Sequence, residues 1–127
     1  MRYLMMVMGD KDYEAGQPPS SELMTGMAKL TDEMVQAGVL LAAEGLQPTS
    51  QGMRLKVSRG AVAVTDGPFT ETKELIGGYA IVQANSKVEA LEIANRFVEV
   101  HRQAGINDLD MEIRPLFDPG QCGPSSA

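Results

Sequence analysis

A chain of 127 residues with 43% hydrophobic and 22% charged residues has the size and make-up of one globular domain that can bury a core without disulfide or metal staples. Its net charge of −6 repels a phosphate backbone and argues against direct nucleic-acid binding, and no apolar run approaches the roughly 18 to 20 residues that span a bilayer. The single Cys122 cannot close an internal disulfide and fits a reducing, cytoplasmic setting.

The first element is the apolar run Tyr3 to Met8, which reads as a strand buried on both faces. It leads into Gly9-Asp10-Lys11-Asp12 and not into a small-residue cleavage site, so it is no signal peptide. Gly16 to Ser21 is a turn that delivers a helix, with Ser20 or Ser21 as N-cap and Glu22 near the positive end of the dipole. Leu23, Met27, Leu30 and Met34, with Met24 and Val35 beside them, supply its apolar stripe, and Gly38 its stop.

Val39 to Ala43 is a second apolar strand, broken by Gly45-Leu-Gln-Pro48. Met53, Leu55 and Val57 alternate with Arg54, Lys56 and Ser58, as in a strand with one wet face. Ser58-Arg59-Gly60 turns this strand into Ala61 to Thr65, a hairpin. Beyond Asp66-Gly67-Pro68-Phe69 and a polar stretch from Thr70 to Glu74, Gly77-Gly78 opens the strand Tyr79 to Gln83.

Ser86-Lys-Val-Glu89 is a capping box for a second helix, with Val88, Leu91, Ala94, Phe97 and Val98 as its buried stripe. That helix ends near Ala104-Gly105, and Met111 to Arg114 alternates as a last strand. One α+β domain over residues 1–117 with a flexible Gly/Pro/Ser-rich tail at 118–127 is therefore expected. The order matches the ferredoxin-like βαββαβ plan with an inserted β-hairpin. Two helices cover one face of such a sheet, so a homodimer packed through its sheet faces is expected to bury the other.

The stretch Val64-Thr-Asp-Gly-Pro-Phe-Thr-Glu-Thr-Lys-Glu-Leu-Ile-Gly-Gly-Tyr79 resembles the YCII-related proteins, in particular the DGPF (DGPFAETKE) branch, with Thr70 where that branch often has Ala. The likeness extends to Glu44 to Ser50, Arg54, the second helix and Met111 to Pro115. It implies a dimeric α+β barrel, and for the DGPF branch a link to extracytoplasmic-function sigma-factor pathways. Some YCII-type relatives carry a His on the first helix paired with an Asp. Residues 20–37 here contain no His, so that couple does not transfer.

Candidate site residues concentrate in the matching segment. Asp66, where the chain leaves a strand, is the candidate proton carrier for lyase- or isomerase-like chemistry. The alternative is a turn residue whose carboxylate accepts the amides two or three positions on, with Gly67 and Pro68 shaping the turn. Arg54 and Lys73 could orient a small anionic ligand. Glu71 adds a carboxylate, Phe69 is an anchor or a stacking surface, Tyr79 a hydroxyl, and Gly77 and Gly78 allow close approach or tight packing. Carboxylates alone at this spacing give only a weak hard-cation signal, and no nucleotide or dinucleotide fingerprint is present, so neither metal nor cofactor is expected. His101, alone of its kind, is expected to be structural or solvent-facing. A non-catalytic ligand-binding or accessory protein is the alternative to an enzyme.

Overall fold

The computed structural model of the protein describes residues 1–69 and 75–118. Glu71, Lys73, the rest of the 70–74 stretch and all but the first residue of the expected tail lie outside the described residues. Among the described residues six strands and three helices follow in the order β1 (Arg2–Met8), α1 (Lys11–Glu14), α2 (Ser21–Gln36), β2 (Leu40–Gly45), β3 (Met53–Ser58), β4 (Ala61–Asp66), β5 (Ile76–Gln83), α3 (Lys87–Gln103) and β6 (Met111–Pro115). A 3-10 turn, Thr49–Gln51, precedes β3.

The main sheet is antiparallel with strand order β2-β5-β1-β6. With the hairpin β3–β4 set aside, this is the ferredoxin-like order expected from the sequence. Period-two alternation fixes what each face carries. Tyr3 pairs with Val82 and Pro115, and Met5 with Ala80 and Ile113. These positions meet Leu30 and Met34 of α2 and Ala90, Ile93, Ala94 and Phe97 of α3 in one core. The opposite face presents Leu4, Met6 and Ile81 beside Glu112 and Arg114.

Both long helices start where their caps dictate. Ser20 accepts the Leu23 amide at 3.1 Å, and Ser86 accepts the Glu89 amide at 3.1 Å. The α3 stripe is rotated from the expected one: Ala90, Ile93, Ala94, Phe97 and His101 are buried, while Val88 and Leu91 are exposed. Ala94 and Phe97 of the expected stripe are in the core, and Ala90 and Ile93 take the places expected for Val88 and Leu91. On α2, Met24 and Val35 are likewise exposed. Gly77 and Gly78 lie inside β5 and do not merely open it, because the strand begins at Ile76.

The hairpin stands apart as a two-stranded sheet of its own. Arg59 and Gly60 both take positive φ (52° and 80°), the signature of the tight turn whose twist suits a hairpin. The expected buried side of β3 is not buried: every residue of both strands is exposed, including Met53, Leu55, Val57, Val62 and Val64.

Candidate functional site

One row of the main sheet lacks side chains where the helices would need them. Gly45 of β2 lies opposite Gly78 of β5, and Gly78 lies opposite Val7 of β1. The next row toward the core is Ala43, Ala80 and Met5. A floor of Gly and Ala under Leu23 and Met27 of α2 and Phe97 of α3 leaves a cavity of about 970 Å³. A Cβ added to Gly45 would meet nothing within 4 Å, whereas one on Gly78 would stand 3.2 Å from the Glu44 carbonyl oxygen.

The walls are mainly apolar, with Met5, Val7, Met8, Ile106, Leu109 and Met111 completing them. Two polar side chains, His101 and Tyr13, join them. His101 is buried, and its Nδ1 lies 2.7 Å from the Phe97 carbonyl oxygen. A carbonyl can only accept, so Nδ1 carries the proton and, in the neutral ring, Nε2 is an acceptor. Tyr13 projects from α1 against two glycines: a Cβ on Gly9 would come within 3.0 Å of its ring, and one on Gly77 within 3.5 Å. Its hydroxyl is buried without a hydrogen-bond partner among the described residues. Burial raises its pKa above the ordinary value of 10.0, the Glu14 carboxylate adds to the rise, and the Leu46 backbone opposes it. The Leu46 amide itself is committed to the Gly77 carbonyl at 2.9 Å, so it leaves the phenol unsatisfied.

Exposed carboxylates of Asp10, Asp12, Glu44, Asp108 and Asp110 also line the cavity, and no Lys or Arg does so among the described lining residues. The electrostatic field at the opening is therefore negative. Among the described residues no group of three or more His, Cys, Asp or Glu is placed to hold a metal ion.

Of the residues singled out from the sequence, Gly77, Gly78 and Tyr79 border the cavity, and Arg54, Asp66 and Phe69 do not. Asp66 ends β4 opposite Met53, so alternation places Arg54 on the other face of the hairpin. The Arg54 guanidinium instead lies 3.9 Å from the centroid of the Phe69 ring, a cation–π contact. The amides after Asp66 do not go to its carboxylate as an Asp turn would require. Gly67 donates to the Gly52 carbonyl at 3.0 Å and Phe69 to Thr49 Oγ1 at 3.0 Å.

Thr49 is the hub of that corner: its hydroxyl donates to Glu14 Oε2 at 2.5 Å and its amide to Glu14 Oε1 at 3.3 Å. A Cβ on Gly67 would overlap the Thr49 carbonyl, so only glycine fits there. The corner joins α1, the 3-10 turn and the base of the hairpin. Sequence reasoning missed the cavity, His101 as a lining residue and the Glu14–Thr49 link. The glycines were visible, but their pairing is a matter of register between distant strands.

A family model described as the YCII-related domain matches residues 1–106. The chain belongs to the YCII-related family. A member of that family from Rhizobium meliloti (strain 1021), described as an uncharacterised protein, is 29% identical over 125 residues, covering 95% of this chain and 98% of the relative. The YCII-related match takes in every wall of the cavity up to Ile106, leaving Asp108 to Met111 beyond its end.

Proposed function

We propose that this YCII-related chain is a small-molecule-binding protein whose site is the cavity above Gly45 and Gly78. The observation that carries the reading is the row of missing side chains. A well-packed domain does not leave about 970 Å³ between sheet and helices without a use, and ligand pockets fall in the range of roughly 300 to 1,000 Å³. Apolar walls call for an apolar body. The five lining carboxylates and the His101 acceptor call for a head that donates hydrogen bonds or carries positive charge, such as an amine.

The direct test is displacement of a neutral fluorescent probe, N-phenyl-1-naphthylamine, by dodecylamine and by dodecanoate. The amine is expected to displace it at lower concentration than the carboxylate. A reversed order overturns the choice of head group, and failure of the probe to bind overturns the site.

A second reading places acid/base chemistry on Asp66, with Arg54 and Lys73 orienting a small anion. Its support is the family-like segment and the polar corner around Thr49. An Asp66→Asn variant that binds and folds normally but loses turnover of a candidate substrate would favour it. The link to an extracytoplasmic-function sigma-factor pathway is supported by the resemblance of the DGPF segment, and a metabolic operon beside the gene would remove that support. The half-buried Leu4 and Ile81, on the sheet face away from the helical core, support pairing of two copies sheet to sheet into a dimeric α+β barrel. Sedimentation of the full chain tests it, with a monomer as the contradicting result.

A further inference from the structure

His101 makes one hydrogen bond and has the capacity for a second. It is 9% exposed and lines the cavity. Nδ1 is committed to the Phe97 carbonyl, and no described residue bonds Nε2. Nor is Nε2 sealed from solvent: among the described residues the sealed, partnerless polar side-chain atom is the Tyr13 hydroxyl. Nε2 therefore faces the open space of the cavity, an acceptor on a buried wall with its partner still to come.

Topology sets this acceptor over the glycines. α3 leads from the Gln83 end of the sheet to the Met111 end, and β1 runs the same way. Phe97 shares the core with Met5 and Ala80. His101 follows one turn later, about 6 Å along the helix. The row Val7–Gly78–Gly45 follows Met5 by two residues, about 6.7 Å along the strand. The side chains missing at Gly45 and Gly78 are thus the ones that would fill the space under the His101 ring.

The charges stand elsewhere. Asp10, Asp12, Glu44, Asp108 and Asp110 are exposed, on segments that meet at one end of the sheet, after β1, near the end of β2 and before β6. An ammonium can stay hydrated at this rim among the carboxylates. Nε2 calls for an uncharged donor, because a second cation brought to the buried wall would lose its water.

We propose that the cavity takes amines bearing a second, uncharged hydrogen-bond donor: the ammonium lies among the rim carboxylates, and a hydroxyl across an apolar spacer donates to His101 Nε2. His101 is then the residue that sets specificity at the buried wall. This rests on the cavity reading above and narrows it from amines in general to amino alcohols. A site built to bond a ligand hydroxyl disfavours the analogue that lacks it, since the buried acceptor is left bare.

The test is displacement of N-phenyl-1-naphthylamine from the full chain at about pH 8, where an imidazole is ordinarily neutral and an alkylamine still protonated. Linear ω-amino alcohols of roughly four to ten carbons are compared with alkylamines of equal length, on wild type, His101→Phe and His101→Gln. At the best length, the advantage of the amino alcohol over the alkylamine is expected to fall at least about ten-fold in His101→Phe, where the hydroxyl is buried without an acceptor. It is expected to recover in His101→Gln, whose amide oxygen accepts. The nitrogen-15 resonance of Nε2 in the chain's one histidine is expected to move further with the amino alcohol than with the alkylamine. An advantage unchanged in His101→Phe or, if that variant fails to fold, an Nε2 resonance that responds equally to both ligands overturns the His101 contact and leaves the cavity reading standing. A probe that does not bind the wild type overturns both.

Discussion

Gly45 and Gly78 face each other across β2 and β5, and the space their absent side chains leave is the floor of the cavity. The two are not equivalent. Gly45 opens onto empty space, while Gly78 is held close to the Glu44 carbonyl. One can be filled without disturbing the sheet, and the other is also a packing residue.

The unsatisfied phenol of Tyr13 makes a stability prediction with a definite sign. Removing a buried hydroxyl that has no partner removes a desolvation cost. Tyr13→Phe is therefore expected to leave stability unchanged or raise it by up to about 1 kcal/mol, measured by urea unfolding at neutral pH. Because the folded-state pKa is raised, the folded protein holds this proton more tightly than the unfolded one. The corresponding stability is fully present below the ordinary tyrosine pKa of about 10 and is lost as pH rises through the folded value. Wild type is thus expected to lose stability above about pH 10 relative to Tyr13→Phe, and parallel curves for the two proteins would contradict the assignment.

Thr49 gives a second prediction. Its hydroxyl serves Glu14 and the Phe69 amide at once, so Thr49→Val strands a part-buried carboxylate and an amide together. A loss of about 1 to 2 kcal/mol is expected, with Thr49→Ser within about 0.5 kcal/mol of wild type because it keeps the oxygen. Equal losses for both variants would point to methyl packing instead.

The core prediction concerns Phe97, which is buried against the sheet and also walls the cavity. Phe97→Ala is expected to cost about 3 to 5 kcal/mol by thermal or urea unfolding. Leu91→Ala, on the exposed phase of the same helix, is expected to change stability by no more than about 0.5 kcal/mol. This pair separates the observed helix phase from the one expected from the sequence.

The legibility of the fold and of the site differed for a physical reason. Strands β1, β5 and β6 and both long helices were readable because period and caps are local signals, and Ser20, Ser86 and Gly38 sit where those signals place them. The phase of α3 was not, because Val88 and Leu91 form as good a stripe as Ala90 and Ile93 until the sheet chooses between them. The α1 helix is only four residues long, too short for any periodicity. Nor could alternation in β3 reveal that its apolar side has nothing to pack on. The DGPF segment drew attention to Asp66, but the cavity depends on Gly45 and Gly78 meeting across strands far apart in sequence, a relationship that composition does not encode locally.

The most direct measurement is the affinity of Gly45→Leu for N-phenyl-1-naphthylamine beside that of the wild type, with unfolding curves for both. A Cβ at position 45 meets nothing within 4 Å, so the leucine should enter the cavity and leave the fold intact. Probe affinity is predicted to fall at least ten-fold at unchanged stability. A variant that folds normally and binds as tightly as wild type would show that the ligand site is not above Gly45 and Gly78.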